Sequence, residues 1–263
     1  MMYYEIMDHL QIAVLALVQG LTEFLPISSS GHLVLVPKLL GWQEHGLDLD
    51  AFLHLGTLVA VLVYFYKDLV DIVLHKRHLG IAIIIGTLPA VLLGFGAKTY
   101  FSSEAVRSVA SICVTLILGS VLMIVADVAA NARTEFKNSQ DLKILDIFWI
   151  GCAQALALFP GVSRSGASIS AGLFTGLSRE DAARFSFLLG VPAIAGAGLL
   201  ALKDMAQTGV QLDYSSLGLG FIVSAISGYL AIDFLIKFLK TQSLRGFVIY
   251  RVVLAGLLYF YFN

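Results

Sequence analysis

Charge is scarce in this sequence. Asp, Glu, Lys and Arg make up 13% of its 263 residues, and the formal net charge is −1. So few basic residues leave no bulk cationic surface, which predicts no nucleic-acid partner. Cysteine is nearly absent: Cys113 and Cys152 lie in separate apolar segments, which reads as two buried thiols and excludes a disulfide framework or a cysteine metal cluster. The N-terminus lacks the basic residues and small-residue cleavage site of a signal peptide, and carries Glu5 and Asp8 ahead of its first apolar run. No stretch has the composition of a disordered tail or an interdomain linker.

Apolar residues, by contrast, make up 58% of the chain. Six stretches, near 50–66, 80–97, 106–130, 183–201, 215–237 and 246–262, are long enough to cross a bilayer, which needs about 20 residues. Two further regions are polar where their surroundings are apolar: Gln19–His32 (QGLTEFLPISSSGH) and Gln154–Ser168 (QALALFPGVSRSGAS). They echo each other at a fixed offset: Gln19 with Gln154, Ser28 with Ser163, Ser30 with Ser165, Gly31 with Gly166. The apolar pieces beside them, 10–22 and 33–42, then 144–159 and 166–177, are each too short to span. Such pieces suit re-entrant helix–loop–helix hairpins, whose irregular backbone must be buried in protein.

Basic residues fix the sidedness. Lys67, Lys76 and Arg77 share one loop, Arg133, Lys137 and Lys143 a second, Arg179 and Arg184 a third, and Lys237, Lys240 and Arg245 a fourth. The positive-inside rule puts all four in the cytoplasm. The opposite loops hold Lys38, Lys98, Arg107 and Lys203. Residues 144–177 therefore start and return on one side, and an odd number of spans separates the two polar regions. The expectation is an all-α integral membrane protein of one domain, 1–263. It has six transmembrane helices and two re-entrant hairpins, in an inverted-topology repeat of approximately 1–130 and 140–263. The likeness of Phe52–Gly56 (FLHLG) to Ser186–Gly190 (SFLLG) supports the duplication.

Polar groups in hydrocarbon are costly and mark sites. Pro160-Gly-Val-Ser-Arg-Ser-Gly166 reads as a turn into a helix that begins near Gly166. Its free N–H groups, the Arg164 fork and the hydroxyls of Ser163, Ser165 and Ser168 suit a phosphate. The alternative is a serine-capped helix with a snorkelling arginine, which the position of Arg164 at a hairpin tip disfavours. In the first motif Gln19 and Glu23 share a helical face, and Ser28, Ser29, Ser30 and His32 follow. A carboxylate, an imidazole and hydroxyls facing an arginine suit phosphoryl hydrolysis with a divalent cation, Mg²⁺ or Ca²⁺. The alternative is a capped helix and a structurally bonded Glu23. His9, His45, His75 and His78 read as solvated loop residues, and His54 as packing near the start of a span. Asp127, Asp233 and Arg251 read as capping or ion-pairing groups near cytoplasmic helix ends, and Gly172–Gly176 (GLFTG) as a helix-packing motif. Asp50, near the mouth of the first hairpin, is equally placed to face the site or not. The chain has no P-loop, which argues against nucleotide binding. It also has no Arg-Pro pair, which argues against the acid phosphatases that share a Ser-Gly-His element.

At these motifs, and over nearly its full length, the sequence resembles the undecaprenyl-diphosphate phosphatase family of bacterial membranes, the bacitracin-resistance type. That family's first motif is Glu or Gln, three residues, then Glu, and its second is Pro-Gly-x-Ser-Arg-Ser-x-x-Thr. The resemblance implies six spans with two hairpins in inverted repeats, often as a homodimer, in the bacterial cell (inner) membrane with the site open to the outer side. It implies removal of the terminal phosphate from a polyprenyl diphosphate lipid held among membrane lipids, which recycles the carrier for cell-wall synthesis and gives bacitracin resistance. Glu23 would be the essential carboxylate, and Ser29 and His32 the reactive pair. Arg164, Ser163, Ser165 and Gly166 would grip the diphosphate, with Gln19, Ser28, Ser30 and Ser168 also toward substrate. Either a side chain or an activated water attacks. Gln19 stands where glutamate is commoner, so Glu23 alone would hold the cation; Ser168 replaces threonine and keeps the hydroxyl. A transporter or lipid flippase is the rival expectation, because inverted repeats with broken helices are a common transporter plan.

Overall fold

A computed structural model of the chain describes residues 8–42, 47–96, 100, 103–208 and 214–262. Within these the regular structure is helical, with one isolated bridge between Lys137 and Leu177. In chain order the described α-helices are α1 His9–Phe24, α2 Ser29–Leu40, α3 Leu47–Tyr64, α4 Tyr66–Leu74, α5 Arg77–Gly96, α6 Val109–Asn131, α7 Ile144–Ala155, α8 Arg164–Thr175, α9 Arg179–Thr208, α10 Tyr214–Leu239 and α11 Arg245–Phe262. Stretches within α5, α6, α9, α10 and α11 are long and apolar enough to cross a membrane, which makes this a multi-pass membrane protein. The sequence counts a sixth span at 50–66. The fully described part of α3, Phe52–Tyr64, is apolar but shorter than those five.

Both polar regions are broken helices. α1 stops at Phe24, and α2 starts at Ser29 under the Ser28 cap, whose Oγ accepts from Gly31 N. α7 runs on through a 3₁₀ turn, Leu156–Leu158, and α8 starts at Arg164 under the Ser163 cap, whose Oγ accepts from Gly166 N. The irregular backbone is therefore shorter than the polar sequence. Ser29–His32 and Arg164–Gly166 already form first helical turns, because each capping serine takes up an orphan N–H. Both caps sit at positive φ, 77° for Ser28 and 73° for Ser163, a conformation that costs an L-residue roughly 1 kcal/mol or more. Of the Gly172–Gly176 pattern, only Gly172 packs on a neighbouring helix, against Ala182. Gly176 instead ends α8 in the left-handed region, so the spacing reflects a C-cap and not a packing face.

Packing follows an exchange of halves. α1 lies along α10 as α7 lies along α5, α3 contacts α10 as α9 contacts α5, and α3–α9 and α6–α11 pair with each other. In lipid such contacts rest on close packing of small residues: a methyl on Gly151 of α7 would collide with the Gly86 carbonyl of α5. Large apolar side chains face outward instead, as Phe260, Leu92 and Val73 do.

The four basic loops gather at one end. Arg184 pairs with Asp68 (2.6 Å), Arg179 with Asp127 (2.7 Å) and Lys240 with Glu180 (3.5 Å), while Lys137 N donates to the Gly176 carbonyl (2.9 Å). The α7–α8 pair therefore leaves and returns beside the same charged belt. Asp127 and Asp233 ion-pair there as the sequence suggests, Asp233 with Lys237 at 2.7 Å. His9, His75 and His78 are exposed; His45 and Lys98 lie outside the described residues.

Candidate active site

The two helix breaks meet inside the molecule, and each turn holds the other. Gly161 N donates to Ser28 Oγ (3.0 Å), and Ser165 Oγ donates to the Leu25 carbonyl (3.1 Å). This brings the N-termini of α2 and α8 together, so two sets of helix N–H groups serve one region, as an anion site requires.

Glu23, on the last turn of α1, is the hub. Its Oε1 accepts from Arg164 Nη2 at 2.8 Å. Its Oε2 accepts from Ser29 Oγ at 2.7 Å and from Gln19 Nε2 at 3.1 Å, and faces His54 Nε2 at 3.6 Å. Gln19 reaches it because i and i+4 share a helix face. The sequence left His54 as a packing residue, and the structure corrects this. Its Nδ1 donates to the Asp50 carbonyl one turn back, which aims Nε2 at Glu23. No local pattern marks it, because α3 is apolar around it. Asp50 enters the site region through that backbone carbonyl.

Arg164 is positioned from α9, where its Nη1 donates to the Ser186 carbonyl (3.3 Å). Gly190 lets it lie there, since any Cβ at that position would overlap the guanidinium. Ser163 and Ser165 hydroxyls sit 3.2 Å apart at the tip, and those of Ser28 and Ser30 3.4 Å apart across it. Ser168 points elsewhere: its hydroxyl is bonded to Ser186 Oγ (2.6 Å) and the Arg164 carbonyl (2.7 Å), so it buttresses the grip from behind. His32 hydrogen-bonds to other groups than Ser29 does. Its Nδ1 donates to the Ser28 carbonyl (2.7 Å), and its Nε2 meets the Tyr250 hydroxyl at 2.6 Å.

Arg251 requires the largest correction. It was expected near a cytoplasmic helix end, but it is fully buried beneath both turns. Its guanidinium donates to the carbonyls of Pro26 (3.3 Å), Gly161 (2.8 Å), Val162 (3.2 Å) and Leu116 (3.1 Å), and to Ser120 Oγ (3.1 Å). Turn carbonyls buried away from water need such donors. The overlooked signal is an arginine in the middle of the apolar run 246–262, where a charge is expensive.

The residues that could hold a divalent cation here are Glu23 and Gln19, and both Glu23 oxygens already accept hydrogen bonds. Among the described residues no three His, Cys, Asp or Glu side chains form a metal cluster. Gln19 Oε1, however, is buried without a hydrogen-bond partner beside Glu23. One carboxylate and one amide oxygen fit a Mg²⁺-type ion that takes its remaining oxygens from phosphate and water.

The family model for the bacitracin resistance protein BacA matches residues 12–257. An undecaprenyl-diphosphatase of Alcanivorax borkumensis is 44% identical, over 97% of this chain and 99% of its own. Undecaprenyl-diphosphatase 2 of Stutzerimonas stutzeri is also 44% identical, over 98% of this chain and 99% of its own. An undecaprenyl-diphosphatase of Synechococcus elongatus is 41% identical, over 96% and 92%. With two helix breaks joined at a carboxylate–arginine pair and a match over nearly its whole length, this chain belongs to the bacitracin resistance protein BacA family.

Proposed function

We propose that this protein is a membrane hydrolase that converts undecaprenyl diphosphate to undecaprenyl phosphate and inorganic phosphate. The observation that carries the reading is the Glu23–Arg164 pair held at the junction of two helix N-termini. In this reading the terminal phosphate takes up the Arg164 fork, the Ser163 and Ser165 hydroxyls and the free N–H groups of α2 and α8. These donors stabilise the charge that builds on the phosphoryl oxygens. Anion binding draws Arg164 from Glu23, leaving the carboxylate to accept a proton from Ser29 or a water, or to share a cation with Gln19 Oε1. Bound Mg²⁺ or Ca²⁺ would offset phosphate charge. His32 serves as the acid–base group.

The membrane frame belongs to the same proposal. α1–α2 and α7–α8 are re-entrant hairpins dipping from the outside and the cytoplasm, α3 is the sixth span, and the halves are inverted repeats. Supporting this are the packing pattern that survives exchange of the halves, the paired serine caps at positive φ, and the single charged belt. The prenyl tail stays in lipid, the site opens to the outer face of the cell (inner) membrane, and the chain functions as a homodimer in carrier recycling for the cell wall, with bacitracin resistance as the consequence. Purified protein given a polyprenyl diphosphate should release phosphate, and chelation of divalent ions should abolish release. Lipid phosphate crossing vesicles with no diphosphate hydrolysed would overturn the reading in favour of a carrier.

A further inference from the structure

His32 has both ring nitrogens committed. Nδ1 lies 2.7 Å from the Ser28 carbonyl, an atom that only accepts, so the neutral ring carries its proton on Nδ1. Nε2 is then a bare lone pair, and the group 2.6 Å away from it is the Tyr250 hydroxyl, which must be the donor. The two rings lie nearly parallel, 10° between planes with centroids 5.8 Å apart, so the phenol is held edge-on to Nε2. The imidazole is buried, whereas Tyr250 is 42% exposed. Tyr250 is also anchored: its neighbour Arg251 is fixed to the carbonyls of both turns, which sets the register of α11 against the hairpin tips.

We propose that Tyr250 is the proton-relay partner of His32, linking its buried Nε2 to the reacting phosphate. The proposal rests on the phosphatase reading above. A water attacks the terminal phosphorus, forming the new O–P bond; as it does so one water O–H bond breaks and that proton passes to the phenol oxygen. The phenol's own proton moves to Nε2, and the imidazole becomes imidazolium while the phenol stays neutral. After the anhydride P–O bond breaks, the same two transfers run backward and deliver one proton to a phosphate product. No oxidant, reductant or further reactant is required. Such a relay explains why the lone pair of a buried histidine is aimed at a hydroxyl from another helix and not at Ser29, whose proton goes to Glu23.

The test uses full-length protein in detergent micelles with a polyprenyl diphosphate as the probe. Tyr250→Phe keeps the ring and nearly its volume, and removes only the hydroxyl. We expect kcat to fall at least about tenfold with KM within about twofold, a loss in the range of a positioned proton-transfer group. ¹⁵N spectra of labelled histidine should show His32 as the Nδ1–H tautomer in both proteins, with the Nε2 resonance displaced in the variant by loss of the Tyr250 hydrogen bond. Parental kcat in Tyr250→Phe, or an unchanged Nε2 resonance, overturns the relay. If the parent itself releases no phosphate, the functional reading fails, and the Nε2 resonance alone then decides whether Tyr250 donates to His32. Full activity in His32→Asn removes the histidine from the chemistry and the relay with it.

Discussion

Glu23 carries a negative charge only because its neighbours are arranged to keep it. Buried carboxylates need donors or cations, and this one has Arg164 on one oxygen and Ser29, Gln19 and the His54 edge on the other. Glu23→Gln keeps the shape but leaves the guanidinium without its counter-charge. Phosphate release should fall at least about a hundredfold, measured beside a melting curve to show that the fold survives. His54→Leu removes only the imidazole edge 3.6 Å from Glu23 Oε2, so a smaller loss of about tenfold in kcat/KM is expected. Equal activity of parent and His54→Leu would return His54 to the packing role suggested by sequence. Local polarity explains which of these residues were legible. Gln19, Glu23, Ser28–Ser30, His32 and Arg164 interrupt apolar sequence, so their cost is visible in one dimension. His54, Tyr250 and Arg251 stand singly in ordinary helices, and only tertiary contact brings them to the turns.

At the scale of elements, each helix break depends on a helix remote in sequence. α9 offers Arg164 a resting place at Gly190. Gly190→Ala should therefore displace the fork and lower kcat/KM about tenfold or more while the helices remain, a pattern checked by kinetics together with circular dichroism. α11 braces both turns through Arg251. Arg251→Met fills similar space but strands several carbonyls, and should destabilise the protein by about 3–5 kcal/mol, read as a lowered melting temperature in detergent. The paired breaks themselves were legible, from two short apolar pieces around each polar motif. Their true edges were not: a serine hydroxyl replacing one backbone acceptor lets the helix start inside the polar stretch, and periodicity does not register that substitution.

Across the whole molecule, the charged belt defines one end, and the sidedness of everything else follows from it. With Cys113 and Cys152 replaced by alanine, single cysteines at Asn138 and Gln242 should label only from the cytoplasmic side, and one at Ser103 only from outside. Labelling of Asn138 and Gln242 from opposite sides would overturn the proposal that α7–α8 is re-entrant. The belt itself was legible because basic residues cluster in four loops, although nothing in their sequence says that Arg179 and Arg245 both approach Asp127. The reach of Arg251 into both turns also bears on synthesis. Both motifs are made before α11, and the residue that satisfies their carbonyls, Arg251, arrives only with that helix. Nascent chains halted before α11 would carry every motif residue yet have open turns, and would present exposed backbone to chaperones and proteases. Synthesis of α11 would thus act as a checkpoint: a product that stops short of it would be inert from the start, because the turns wait on the helix that carries Arg251.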